Sequence, residues 1–286
     1  MERKKGFLQI KEYELIRTCQ REIDGKYCVA WIILDGFESL YKEYQNINTC
    51  YKEVFWSYAL TELGIPNVGY DLASNQGKLG VITKNAKQKD QKIKNLSALI
   101  QNFRHHASCE YRHSSLSDLF NVKELEKIFA FHYSQLKPEE LKKLNESLLK
   151  QFIIQILSGN RDLHDRNMII VEKPMLDFFP YFDFGGYSLT SFNIMNHTRF
   201  CLPYIKSSYM EEPKQTVGHF LDYATKQEIE LLKYYIEKFL TLDTTRIYEH
   251  MENDLSFTLP RNVKKDLSRK LVRNSIYLEK QMRLSR

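Results

Sequence analysis

Residues 159–171 read GNRDLHDRNMIIV, and this stretch decides the fold because a charged turn is followed at once by an apolar run. Residues 138–157 before it begin at a proline and repeat apolar side chains at helical spacing, so they predict a helix. The run MIIV at 168–171 predicts a short buried strand. The sequence therefore predicts a polar turn, carrying Asp162, His164 and Asn167, between a helix and a strand.

A second short element, FFPYFDFGGYSL at 178–189, places Asp183 directly before Phe184 and Gly185. Phosphoryl transfer needs a carboxylate near the acceptor hydroxyl, ligands for Mg²⁺ and a cation for the phosphates. Mg²⁺ prefers oxygen ligands, often one or two carboxylates with substrate phosphates. Asp162, Asn167 and Asp183 supply such oxygens. The spacing matches the catalytic and metal loops of protein kinases, which have an Asp, an Asn five positions later and an Asp-Phe-Gly triplet roughly 20 residues further on.

The size and composition of the chain limit the classes of protein to which it can belong. A chain of 286 residues can form one large domain or two modest lobes. A net charge of +6 suits nucleotide handling, but it also fits many ordinary proteins, so it does not predict nucleic-acid binding. The apolar runs fall well short of the roughly 20 residues that cross a bilayer, and five scattered cysteines predict reduced thiols. We expect a cytoplasmic protein with no membrane partner.

The patterns predict an α+β fold with a β-rich lobe over residues 1–84. Its elements are a hairpin of 13–19 and 27–34 around Asp24 and Gly25, a helix over 52–63 stopped by Gly64 and Pro66, and a strand pair flanking 74–78. The Lys-rich run 85–95 predicts a hinge or surface loop. Residues 96–286 predict a helical lobe, with helices over 123–133, 138–157, 225–240 and 262–286. A nucleotide held between two lobes suits this outline.

Three stretches resemble one known family. GNRDLHDRN at 159–167 has the G-N-x-D-x-H-x-x-N pattern of the HipA-like kinases, and residues 179–189 resemble their metal loop. Residues 51–73 resemble the segment in which a glutamate opens a helix ending in L-G-I-P, with Glu53 in the place of the glutamate. Together they span about half the chain, from 53 to 189. The resemblance implies a two-lobed protein-kinase-like fold in its short, kinase-core-only form.

The resemblance also implies an ATP- and Mg²⁺-dependent protein Ser/Thr kinase and gives the residues their roles. Asp162 would be the catalytic base, Asn167 and Asp183 the Mg²⁺ ligands, and Glu53 part of the ATP site. Structural support of the catalytic loop would come from Gly159, Asn160 and His164. The implied biology is a toxin-type kinase of a toxin–antitoxin system. Its substrate would be a protein such as an aminoacyl-tRNA synthetase, and its partner a DNA-binding antitoxin.

The family's phosphate-binding lysine has no obvious counterpart here. The strand predicted over 27–34 contains none; Lys26 lies at its start, Lys42 follows in a less regular segment, and Lys84 ends a later strand. Only Gly25 stands where a glycine-rich phosphate loop is expected. A pseudokinase binding module is therefore one alternative.

A small-molecule phosphotransferase of the aminoglycoside-kinase type is the other alternative, since residues 162–167 also fit its D-L-H-x-x-N motif. The position two residues before the Asp holds Asn160, where that family has a histidine. The basic C-terminal segment is interpreted as the solvated face of a helix, so direct nucleic-acid binding is not expected.

Overall fold

The computed structural model describes residues 3–4, 6–11, 13–21, 28–106, 122–158, 167–173, 176–181 and 225–284. The chain divides into two compact units. The first comprises Met1–Gln88, Pro180–Thr190 and Thr241–Val272, and the second comprises Lys89–Phe179, Ser191–Leu240 and Arg273–Arg286. The predicted lobes, 1–84 and 96–286 on either side of a hinge at 85–95, stay a prediction.

The first unit contains a seven-stranded sheet in the order β1-β2-β6-β7-β5-β4-β3. All neighbours pair antiparallel except β2 and β6, which are parallel. One face of the sheet carries a buried apolar cluster of Ile10, Ile32, Leu34, Tyr41, Ala73 and Ile82. The strands are β1 Arg3–Lys4, β2 Phe7–Ile10, β3 Glu14–Arg21, β4 Cys28–Leu34, β5 Phe37–Glu43, β6 Asp71–Asn75 and β7 Lys78–Lys84.

Two hairpins follow the predicted pattern and a third was missed. β3 pairs with β4, and β6 pairs with β7 across Gln76 and Gly77, whose φ angles are 51° and 81°. The segment containing Lys42 was expected to be irregular, but it forms β5. The β4–β5 turn is Asp35-Gly36, with φ angles of 51° and 79°, the positive pair that a two-residue type I′ hairpin requires. The turn predicted at residues 24–25 lies outside the described residues.

Helix α1, Ile47–Glu62, packs against β6 and β7. It begins five residues before the predicted start, because the Asn46 side chain accepts the Asn48 N–H at 2.9 Å and caps the first turn. It ends as predicted, with Gly64 at φ 69° and the Ile65 N–H donating to the Leu60 oxygen at 2.8 Å. Glu53 therefore lies in the second turn of α1, not at its opening.

The second unit contains a three-stranded sheet in the order β10-β9-β8. Of the loop predicted over 85–95, residues 92–95 form β8, whereas 85–91 form no strand or helix. Glu172 on β9 binds Lys92 at 3.1 Å and Lys94 at 2.8 Å, and this ties the end of the Lys-rich run to the sheet. The predicted helices over 123–133, 138–157 and 225–240 are confirmed, whereas α2 was not predicted. The elements are β8 Lys92–Asn95, α2 Leu96–His106, α3 Val122–His132, α4 Pro138–Ser158, β9 Ile169–Lys173, β10 Asp177–Phe178 and α5 Lys226–Leu240.

Two further helices complete the described chain, α6 Thr244–Leu255 and α7 Arg261–Leu284. In the first unit the Tyr58 hydroxyl of α1 donates to Asp254 of α6 at 2.6 Å. The Tyr248 hydroxyl donates to the Lys264 carbonyl at 2.8 Å, which fixes α6 against α7. None of the helices in the described residues has the length and apolar character needed to span a membrane.

Candidate functional site

A buried ion pair joins strand β5 to helix α1. Lys42 Nζ lies 3.5 Å from Glu53 Oε1, and the two side chains are 8% and 0% exposed. The ring of Tyr70, itself buried, lies 5.5 Å from the ammonium and adds a cation–π contact. Removing two charges from water costs several kcal/mol per ion, by order of magnitude, so such a pair is weak evidence for stability alone. It fixes a cation at a defined place on the sheet.

A third side chain shares the same carboxylate. The Tyr44 hydroxyl donates to Glu53 Oε1 at 2.6 Å, a length typical of an O–H bond to an ionised carboxylate. Tyr44 directly follows β5, and its N–H donates to the Leu79 oxygen at 2.9 Å, which continues the ladder with β7. Because side chains alternate along a strand, Lys42 and Tyr44 reach α1 from the same face of the sheet.

Gly80 allows β7 to approach β5 at this point. It lies opposite Glu43 in the β5–β7 register, and Lys42 lies opposite Val81. A Cβ added at Gly80 would clash with the backbone carbonyl of Lys42. The lack of a side chain at Gly80 therefore sets the position of the lysine backbone.

The other two candidate lysines are not brought to Glu53. Lys84 is three positions from Val81 on β7, so it projects from the opposite face to Lys42. Its ammonium lies 4.1 Å above the ring of Phe37. Lys26 lies outside the described residues. Among the described candidates, the structure places Lys42 alone beside Glu53.

The thiol of Cys50, three positions before Glu53 on α1, is inert. Burial, and next the negative charge of Glu53, raise the pKa of Cys50 from 9.0 to about 12. Cys50 is fully buried, and the thiol stays protonated at neutral pH. It serves as a small apolar side chain of α1.

Asn167 lies in the second unit, two residues before β9. The next residue, Met168, is buried, and its oxygen accepts the Leu96 N–H at 2.9 Å. β9 and β10 form an antiparallel hairpin in which Phe178 faces Ile170, and the Phe179 N–H donates to the Ile169 oxygen at 2.8 Å. The chain thus enters β9 from Asn167 at the same end of the hairpin from which it leaves β10.

The remaining predicted residues lie outside the described part of the chain. They are Gly159, Asn160, Asp162, His164 and Asp183. Within the described ranges, no group of three or more His, Cys, Asp or Glu side chains could hold a metal ion.

Sequence reasoning missed Tyr44 and Gly80. The signal for Tyr44 was present in SLYKEY at 39–44, where Lys42 and Tyr44 are two positions apart. Once β5 is recognised as a strand, that spacing places them on one face. Gly80 carried no such signal, because its importance depends on which strand lies beside it.

Comparison with solved structures shows the fold. The chain is similar to a proinflammatory kinase from Helicobacter pylori, CtkA, with a TM-score of 0.65, 14% identity and coverage of 98% of both chains. It is also similar to one chain of a Shewanella oneidensis toxin–antitoxin complex of HipA, HipB and operator DNA, with a TM-score of 0.53 and 11% identity. That match covers 97% of this chain and 75% of the other. No protein-family model and no curated protein sequence matches the chain. Similarity over nearly its whole length shows that the chain has the protein-kinase-like fold of the HipA-type kinases.

Proposed function

We propose that the protein is an ATP- and Mg²⁺-dependent protein Ser/Thr kinase of the HipA type. The observation that carries the proposal is the buried pair of Lys42 and Glu53. A strand lysine held by a helix glutamate is how protein kinases position the cation that grips the ATP phosphates. Lys42 on β5 and Glu53 on α1 have that relation. The pseudokinase alternative rested on a missing lysine and on a missing glycine-rich phosphate loop, and this pair speaks against the first of these two grounds.

The surface beside Lys42 suits an adenine ring. Leu40 lies two positions before Lys42 and shares its face, and Trp31 on β4 lies directly opposite Leu40. Both side chains are half-buried. A flat apolar surface next to a cation is the combination that a nucleotide needs, with the base on the apolar part and the phosphates at the ammonium.

The metal ligands proposed are Asn167 and Asp183. The β9–β10 hairpin supports this choice, because Asn167 lies two residues before β9, and Phe179, whose N–H donates to the Ile169 oxygen, lies at the same end of the hairpin. Along the chain, Asp183 follows Phe179 by four residues. Amide and carboxylate oxygens fit Mg²⁺. When bound, Mg²⁺ would neutralise phosphate charge.

Asp162 is the proposed catalytic base. Its carboxylate would accept the proton of the Ser or Thr hydroxyl as the hydroxyl oxygen bonds to the γ-phosphorus and the bond to ADP breaks. Gly159, Asn160 and His164 are proposed to support this loop. A general base contributes about 10²- to 10⁴-fold to the rate, so Asp162→Asn should nearly abolish transfer.

The proposed biology is that of a cytoplasmic toxin kinase. The similar Shewanella oneidensis HipA was solved with HipB and operator DNA, which supports an antitoxin partner for this chain. We propose a translation protein, such as an aminoacyl-tRNA synthetase, as the phosphate acceptor.

Two measurements test the proposal. ATP with Mg²⁺ should raise the melting temperature of the wild-type protein, and Lys42→Met should lose most of that shift relative to its own ligand-free state. Labelled γ-phosphate should then pass to a protein acceptor, and Asp162→Asn should not transfer it. No ATP-dependent shift in the wild-type protein would refute the kinase proposal. Transfer only to small hydroxyl compounds would instead identify a small-molecule phosphotransferase.

A further inference from the structure

We propose that Tyr44 is a positioning residue for the nucleotide phosphates, acting through Glu53 on Lys42. This inference rests on the proposed function, since it assumes that Lys42 grips phosphate. Tyr44 belongs to neither of the motifs that predicted the catalytic and metal loops.

The geometry makes Glu53 the shared acceptor of two side chains from one strand face. Tyr44 donates to Glu53 Oε1 at 2.6 Å, whereas Lys42 Nζ lies 3.5 Å from the same atom. A direct N⁺–H···O⁻ bond is usually about 2.7 to 2.9 Å long. The tyrosine therefore makes the short bond, and the lysine is held at a longer distance.

Both ends of this arrangement are fixed. The Tyr44 backbone is hydrogen-bonded to Leu79 on β7, and Asn46, the cap of α1, follows only two residues later. Glu53 is fully buried in α1. A hydroxyl on a fixed backbone thus holds a carboxylate on a packed helix, which leaves the carboxylate little freedom to turn toward the lysine.

The functional consequence concerns the ammonium of Lys42. Without the Tyr44 hydroxyl, the Glu53 carboxylate would lose its short bond and would turn, which changes the position at which it holds Lys42. The ammonium would then no longer be held where it meets a phosphate. Tyr44 therefore favours the lysine position that binds phosphate, and it has no effect on the binding of the base.

The test compares adenosine, ADP and ATP binding by calorimetry in the full-length protein. Tyr44→Phe removes one oxygen atom. We expect it to weaken ATP and ADP binding about tenfold, on the scale of a lost hydrogen bond to a charged group, and to leave adenosine binding unchanged. The double variant Lys42→Met with Tyr44→Phe should bind ATP no more weakly than Lys42→Met alone, because Tyr44 acts through the lysine.

Tyr58→Phe is the matched control. Tyr58 also donates to a carboxylate at 2.6 Å, that of Asp254, and it lies on the same helix as Glu53. Its replacement should leave all three ligands unaffected. The melting temperature of each ligand-free variant reports its folding.

The outcomes separate this inference from the proposed function. If Lys42→Met loses ATP binding while Tyr44→Phe binds ATP like the wild type, the role of Tyr44 is refuted and the kinase proposal stands. If Lys42→Met itself binds ATP normally, the phosphate grip and the role of Tyr44 both fail. An equal loss for adenosine and ATP in Tyr44→Phe would show general damage to the site and would also refute the positioning role.

Discussion

Lys42 and Glu53 should be strongly coupled in stability as well as in function. Lys42→Met removes the ammonium that lies 3.5 Å from a carboxylate with no exposed surface. Breaking a buried pair from one side typically costs about 3 to 5 kcal/mol. The hydrogen bond from Tyr44 persists and places the expected loss near the lower limit, at about 3 kcal/mol. Glu53→Gln leaves the ammonium buried without its carboxylate and should cost a similar amount.

The double variant, Lys42→Met with Glu53→Gln, should recover much of this loss. Both replacement side chains are uncharged and similar in volume to the originals, so the remaining cost is that of a buried amide with fewer hydrogen-bond partners, about 2 kcal/mol. The two single losses together should therefore exceed the double loss by about 4 kcal/mol, far above the roughly 0.5 kcal/mol scatter of independent sites. The double variant should still fail to bind ATP, which separates the stability of the pair from its function.

Urea unfolding followed by tryptophan fluorescence measures this coupling. The chain has two tryptophans, Trp31 on β4 and Trp56 on α1, and both lie in the first unit, so the signal reports the unit that holds the pair. The control is Glu43 with Lys78, which lie 3.3 Å apart on the neighbouring strands β5 and β7, with the Lys78 side chain 67% exposed. That surface pair should couple by less than about 1 kcal/mol. Additive losses at Lys42 and Glu53 would refute the reasoning.

Three further outcomes are expected. Burial would raise the pKa of Glu172, but hydrogen bonds and charges from Lys94 and Lys92 outweigh it and lower the pKa below 4.5; the stability it provides is present above about pH 4.5 and is lost as pH falls through the lowered pKa. As the pH falls from about 7 to about 3, the melting temperature of Glu172→Gln should therefore decrease less than that of the wild-type protein. An equal decrease in the two proteins would contradict this. Gly80→Ala should cost about 1 to 3 kcal/mol in urea unfolding through its clash with β5, whereas Gly69→Ala, with open space around it, should stay within about 0.5 kcal/mol; equal losses would refute the clash. Asp243→Ala removes the cap that accepts the first N–H groups of α6 and should cost about 1 kcal/mol of stability. Asp243→Ser should retain most of that stability, and an Asp243→Ala variant as stable as the wild type would contradict a capping role.

The elements found from sequence were those with a strong local signal. Gly64 and Pro66 marked the end of α1, and Pro138 marked the start of α4. The start of α1 was missed, although Ile47, Cys50 and Tyr51 continue the helical spacing toward the N-terminus, because the cap at Asn46 was not recognised. Local patterns therefore located helix interiors and abrupt ends better than capped beginnings.

Local sequence patterns could predict only one part of the candidate site. The motif at 159–167 could be recognised in the sequence, because its residue types and their spacing are local. The partner of Glu53 could not be recognised in this way, because Lys42 meets Glu53 only after β5 pairs with β7 and α1 packs on that sheet. Strand β5 was overlooked since FESLYKE mixes charged and aromatic residues on its two faces. A long-range register decided which lysine stands beside the glutamate.

Strand β8 has a consequence for the order of folding. Ile93 pairs with Val171 and Asn95 with Ile169, so β8 and β9 are separated by all of α2, α3 and α4 along the chain. Closing so long a loop carries an entropic cost that only the finished sheet offsets, and non-local strand pairing of this kind slows folding. A chain ending before residue 168 would leave β8 without its neighbouring strand and the Leu96 N–H without the Met168 oxygen that accepts it. We therefore expect the three-stranded sheet to assemble late, after the helices that separate its strands.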